Sequence, residues 1–334
     1  MKEGEQLKNP LETIESHGIS RRDFLKYSAV AAAMFGISEF EFTSKIAQAI
    51  ASSSKKPPVI WLEGQDCAGC SISFTQILNP PASTIILDKI SLRYHETVMA
   101  SSGHLAEKVY HDTVKEGGYV LVVEGSVPTA DDRFCMVGGR PFKAILEEAA
   151  NRAGAIIAVG ACASYGGIPK ATPSKGVGLD KALPGRAVIN LPTCPVHPDH
   201  LAGTVLYFLT TGKVPPLDKI GRPLIYFSES IHDNCRRRAH FDANRFLEDW
   251  NNPEQKEWCL AKKGCKGPLA NSDCPIRRWN DGINFCLDCG APCMGCGEPE
   301  FYQEMSPLYT AESEISKRIW AMKEEGLFAR EKNS

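Results

Sequence analysis

The chain has no surplus of either charge, no apolar run long enough to cross a bilayer, and no even set of cysteines. Each absence removes a class of protein. With 38 basic and 40 acidic residues the formal net charge is −2, whereas a nucleic-acid-binding surface normally carries a basic excess. The apolar stretch near the N-terminus covers only about ten residues, and a membrane span needs about 20. Thirteen cysteines are an awkward count for a closed disulfide framework, and such frameworks belong mostly to short secreted chains. Metal ligation is the better use for so many thiols. At 334 residues with 43% hydrophobic content, there is enough chain for a sizeable core and for two domains.

The N-terminal stretch "SRRDFLKYSAVAAAMFGIS" sets Arg21 and Arg22 ahead of Phe24, Leu25 and Lys26, followed by the short apolar run. Ala47–Ala49 then offers a small-residue processing site. The pattern closely resembles the twin-arginine export signal, S-R-R-x-F-L-K; the plainer alternative is an amphipathic helix that stays attached. The twin-arginine route carries proteins already folded around their cofactors, so thiols would reach the oxidising periplasm already coordinated. Residues 1–49 are therefore set apart as a signal peptide. Residues 50–215 read as an α/β domain and 216–334 as a cysteine-rich C-terminal domain. The charged end "KEEGLFAREKNS" leaves no expectation of an anchoring helix, so the protein is expected free in the periplasm or held to the membrane by a partner.

From Pro57 to Gly212 short apolar runs alternate with amphipathic stretches. Strands are expected at "PVIWLEG", "ISLRYH", "YVLVVEG", "AIIAVGA" and "AVINLP", and helices at "SISFTQIL", with Ser71 as a possible N-cap, "HLAEKVYHDTVKEG", "PFKAILEEAANRAG" and "HPDHLAGTVLYFLTTG". Continuous apolar strands separated by helices imply a doubly wound parallel sheet covered on both faces. Cys67 and Cys70 follow the first strand, Cys162 follows "AIIAVGA", and Cys194 follows "AVINLPT". Open α/β sheets place their ligands at that carboxyl edge. A disulfide needs two such positions, whereas four converging thiols suit a metal or a cluster. Gly69, Gly160, Gly166 and Gly167 let the backbone come close and supply N–H donors to sulfur. Ordinary packed cysteines are the bland alternative, and they leave the shared position after three strands unexplained.

Past Pro215 the periodicity fades, and eight of the thirteen cysteines lie between 223 and 310. Such a segment cannot build much apolar core, and inorganic cross-links are the natural substitute. Two groups stand out. His232 and Cys235 go with Cys259 and Cys265; Cys274 goes with "NFCLDCGAPCMGCGEP", which holds Cys286, Cys289, Cys293 and Cys296. By itself this CxxCxxxCxxC spacing fits a zinc knot, a disulfide staple or an electron-carrying site.

The blocks "WLEGQDCAGCSIS", "VVEGSVP", "VGACASYGGIP", "LPTCPVHPDHLAGT", "IHDNC", "GCKGP", "DCPIRRWN" and "APCMGCGEPEF", in that order, resemble the small subunit of nickel–iron hydrogenases over essentially the whole mature chain. "CASYGG" and "DCPIRRWNDGINFC" look most like its selenium-containing, NiFeSe branch. The resemblance implies a flavodoxin-like α/β domain followed by a mostly irregular iron–sulfur domain, with three clusters in a line. Cys67, Cys70, Cys162 and Cys194 match the ligands of a proximal 4Fe–4S cluster; His232, Cys235, Cys259 and Cys265 match those of a distal one. Cys274, Cys293 and Cys296 match the medial cluster, usually 3Fe–4S. Where the family usually has proline this chain has Cys286, so a fourth ligand and a 4Fe–4S medial cluster are expected, with Cys289 as the alternative to Cys286. Cys135 is expected to be a packed thiol.

The resemblance further implies a large-subunit partner holding the nickel–iron centre, no catalytic residue in this chain, and an acceptor such as a periplasmic cytochrome c. Positions matching Gly69 and Gly167 carry extra cysteines in oxygen-tolerant members, so that six-cysteine device is not expected here. Arg236, Arg237, Arg238, Lys262, Lys263 and Lys266 surround the distal ligands, either as a docking site for an acidic acceptor or as a solvated basic face. Glu124 either assists proton movement or caps a loop. Competing identities are a stand-alone ferredoxin-type carrier and a structural zinc protein. Related quinone-reductase subunits share the proximal domain and lack the cysteine-rich half.

Overall fold

The computed structural model describes residues 56–328; the expected signal peptide, 1–49, lies outside them. Five strands form one parallel sheet: β1 (Pro58–Glu63), β2 (Ser91–His95), β3 (Val120–Glu124), β4 (Ala155–Val159) and β5 (Ile189–Leu191). Their spatial order is β2-β1-β3-β4-β5, the flavodoxin-like doubly wound order. Alternate residues of each strand feed two separate cores. Ile60, Leu62, Leu121, Val123 and Ile156 pack with α2 (Gly103–Glu116) and α3 (Phe142–Ala150) on one face. Val59, Trp61, Val122, Ile157 and Val159 pack with α1 (Gly69–Thr75) and α5 (Pro198–Thr211) on the other, α4 being the short helix Gly160–Tyr165 that follows β4. Burial on both faces is why these strands read as unbroken apolar runs rather than alternating ones.

Because every strand runs the same way, their carboxyl ends share one edge. The loops and helix starts that follow β1, β4 and β5 emerge there and carry Cys67, Cys70, Cys162 and Cys194. One local expectation is corrected. The first helix starts at Gly69 rather than after Ser71, with Ala68 in the left-handed region (φ 57°) as its N-cap and no side-chain cap of its own. Ser71 lies buried inside that helix, and a carboxylate from β3 takes over the capping.

Beyond residue 215 regular structure shrinks to single turns such as Leu224–Phe227, Arg238–Asp242 and Cys274–Arg277, until α6 (Glu314–Glu324). This irregular half is fastened to the sheet domain by buried polar pairs. His200 Nε2 meets Asp273 Oδ1 at 2.7 Å and His197 Nε2 meets the Arg278 carbonyl at 2.6 Å.

Candidate functional site

All thirteen cysteines are free thiols, and twelve of them stand near at least one other. At the sheet edge, Cys67, Cys70, Cys162 and Cys194 lie near enough that charge on one raises the pKa of others. Burial is the larger cause: it lifts Cys70 well above the ordinary thiol range and Cys162 to about 12. Glycines shape the cradle. A Cβ on Gly160 (φ +82°) would sit 2.5 Å from Cys70 Sγ, and one on Gly167 (φ +52°) 2.8 Å from Cys162 Sγ. Both positions therefore need glycine for space and for backbone angle. The Val196 N–H points at Cys70 Sγ from 3.3 Å.

Glu124, at the end of β3, is the cap that α1 lacks. Its buried carboxylate accepts from the Cys70 N–H (2.9 Å), the Ser71 N–H (3.0 Å), the Ser71 hydroxyl (2.6 Å) and Trp61 Nε1 (3.3 Å). It thereby orients the CxxC turn that presents Cys70.

A second set, His232, Cys235, Cys259 and Cys265, lines one cavity in the irregular half. Burial raises Cys259 to about 12 and Cys265 to about 11. The Arg237 N–H approaches Cys235 Sγ at 3.4 Å. His232 packs edge-on against Phe241, and its Nε2 is buried without a hydrogen-bond partner. Burial lowers its pKa to about 4, so the ring is neutral at ordinary pH. A neutral, buried ring nitrogen without a hydrogen-bond partner, lining one cavity with three thiols, fits a histidine ligand of a metal centre.

The third set lies between the other two. Charge on Cys286 acts on Cys274, Cys293 and Cys296. Both Cys286 and Cys289 come from an exposed turn; burial raises the Cys286 thiol, and charge on Cys289 raises it further. Cys296 also neighbours Cys194 of the first set, and Cys293 neighbours Cys265 of the second. The three sets thus form a continuous row from the sheet edge into the irregular half. Among the described residues, no three His, Cys, Asp or Glu groups close on a single point as ligands of one ion do. A multi-iron cage is wider than an ion and takes ligands at this looser spacing. Cys135 stands apart, half-buried against the α2–α3 core.

The basic group is a correction. Arg237, Arg238 and Lys266 are buried, at 3%, 5% and 0% exposure. Arg238 is held by Asp233 and Asp242, Arg236 by Glu257 and Asp288, and Lys262 by Glu248. What read as one cationic face is half internal structure, and most of the rest is paired with acidic side chains.

Against known proteins, residues 227–309 match the family of the C-terminal region of the NiFe/NiFeSe hydrogenase small subunit. Residues 67–208 match the family of the 20 Kd subunit of NADH ubiquinone oxidoreductase. The periplasmic [NiFe] hydrogenase small subunit of Solidesulfovibrio fructosivorans is 41% identical over 298 residues, 88% of this chain and 93% of that one. The chain belongs to the nickel–iron hydrogenase small-subunit family. Another family member, small subunit 1 of the periplasmic [NiFe] hydrogenase of Nitratidesulfovibrio vulgaris, is 40% identical over 89% of this chain and 95% of its own. The fold agrees: a chain of the Dm. baculatum [NiFeSe] hydrogenase superposes with a TM-score of 0.72 at 37% identity, covering 78% of this chain and all of that one. Residues 18–37 match the twin-arginine translocation signal, so this hydrogenase small subunit has an export signal of that type. Its relatives bear out the sequence reading of an α/β sheet followed by a cysteine-rich half.

Proposed function

We propose that this subunit relays electrons between a nickel–iron site in its large-subunit partner and an external acceptor, through three iron–sulfur clusters. The observation that carries the reading is the continuous row of ligand-bearing side chains, joined by the Cys194–Cys296 and Cys293–Cys265 neighbours. When bound, the clusters supply one-electron storage, and this chain's residues set their position and potential. Cys67, Cys70, Cys162 and Cys194 hold the proximal 4Fe–4S cluster, and His232, Cys235, Cys259 and Cys265 the distal one. Cys274, Cys286, Cys293 and Cys296 hold the medial cluster. The thiol of Cys286, whose charge acts on all three of the others, favours four irons there.

The same fourth thiol, together with the [NiFeSe] structural neighbour, favours the selenium-containing type. Exposed Ile72 and Ile168 follow Cys70 and Cys162 of the proximal set and suit cover by a large subunit; a stand-alone carrier leaves them bare. In this reading 50–215 is the proximal-cluster domain and 216–334 the medial and distal one. The protein works in the periplasm, with a cytochrome c as acceptor. The test is metal analysis of the anaerobically co-purified heterodimer. About twelve irons per copy, four for each cluster, with nickel and selenium in the partner, is the expected result. About four irons, with disulfides in the C-terminal half, would refute the relay.

A further inference from the structure

Lys266 is the one buried member of the basic group whose charge has no visible answer. It is wholly enclosed. Its Nζ donates to the Gly264 carbonyl at 2.7 Å, the Ser316 hydroxyl at 2.9 Å and, at 3.4 Å, the Pro307 carbonyl. All three acceptors are neutral, and among the described residues no carboxylate forms an ion pair with it. Its neighbours in the group behave differently: Lys262 has Glu248, and Arg238 has Asp233 and Asp242. Ser316 belongs to the first turn of α6, capped by the Ser313 hydroxyl, so the helix end nearest the ammonium is also its positive one.

A buried ammonium without a counter-ion is strongly unfavourable, and three neutral acceptors offset only part of that cost. Its position shows where the missing negative charge belongs. Lys266 follows the distal-set Cys265, and its backbone N–H donates to the carbonyl of the medial-set Cys293 at 2.8 Å. It stands at the junction of two sets of thiols.

We infer that the Lys266 ammonium is the built-in counter-ion shared by the distal and medial clusters, a positioning residue that holds their potentials up. The inference rests on the cluster assignment proposed above. Reduction adds negative charge to a thiolate-ligated cluster, and a fixed neighbouring cation favours that form. In a site closed to water its effect is little screened. The residue takes no electron and passes no proton; it acts only through charge.

The test is an EPR-monitored redox titration of the assembled heterodimeric enzyme, with iron content measured alongside. Lys266→Met and Lys266→Gln remove the charge, the second retaining a donor. Lys266→Arg retains the charge. Ser316→Ala removes one acceptor and leaves the ammonium. The neutral variants are expected to lower the distal and medial midpoints, disfavouring one-electron reduction at least about tenfold, which is about 59 mV. The proximal midpoint, Lys266→Arg and Ser316→Ala should stay near wild type. Unmoved midpoints in an iron-replete neutral variant overturn the inference, as does a shift of equal size in Ser316→Ala. If both neutral variants lose iron, Lys266→Arg decides. Retention there means that charge is what assembly needs; loss means that only the ammonium's shape matters, and the inference fails. A wild-type enzyme with fewer than three clusters instead removes the underlying assignment, whatever the variants do.

Discussion

In the proposed relay, the kind of centre at the medial position turns on a single residue. By the family resemblance Cys286 stands where proline is expected, and its charge acts on Cys274, Cys293 and Cys296. Cys289, three residues on, acts on Cys286 and is the alternative fourth ligand. Cys286→Pro is therefore expected to leave three thiols and to produce the paramagnetic signal of an oxidised three-iron cluster, with a higher medial potential. An unchanged EPR spectrum would hand the ligand role to Cys289. The spacing alone never distinguished the two, since both lie in the same short turn-rich segment. Glycines at 160 and 167 belong to this scale as well. Each leaves a gap smaller than a methyl group beside a thiol, so the extra cysteine of the oxygen-tolerant pattern has no room at Gly167 without moving Cys162.

Between elements, the joint of β3 and α1 does most to shape the sheet edge. Glu124 ends one and caps the other, so the CxxC turn is held by a strand far away in sequence. Around it lies a group of carboxyls. Glu96 is raised to about 7, by burial first and then by the charges of Glu63, Asp66 and Glu107, and Glu124 is raised mainly by burial. The direction sets a pH dependence. An acid whose folded pKa lies above its unfolded value binds more protons when folded, so stability is greatest below the unfolded pKa and falls as pH rises. For Glu96 that window runs from 4.5 to about 7. Thermal unfolding across this range should show wild type losing stability relative to Glu96→Gln, with the difference constant above about 7. A parallel pair of curves would mean that Glu96 titrates normally.

At the scale of the whole molecule, the proposed relay raises the question of how an acceptor reaches its distal end. A cationic docking face predicts an acceptor-reduction rate that falls steeply with ionic strength. In the folded chain three of the six basic residues are buried and the others have acidic or backbone partners, Lys263 donating to the Glu248 carbonyl. The rate is therefore expected to depend only weakly on salt, checked by steady-state reduction of an acidic acceptor from low to physiological ionic strength. A steep fall would restore the docking face. This reverses the emphasis that the sequence invites, and the reason is local. These six cations, spread over 31 positions, look like a patch until the chain folds and turns half of them inward.

Chemistry that depends on residue type and on order along the chain was open to the sequence. Unbroken apolar runs between amphipathic helices determined a parallel sheet, because only strands buried on both faces read that way. Parallel strands oblige the thiols after β1, β4 and β5 to share an edge. Eight ordered cysteine and glycine blocks determined the family. Charge and reach were decided only by tertiary structure. Whether a lysine faces water or is sealed between two sets of thiols, whether Glu124 caps a distant helix, and which of two neighbouring cysteines joins the medial group all depend on contacts between residues far apart in sequence. Burial acts through what surrounds a group in space, and a linear string carries no record of that until the chain is folded.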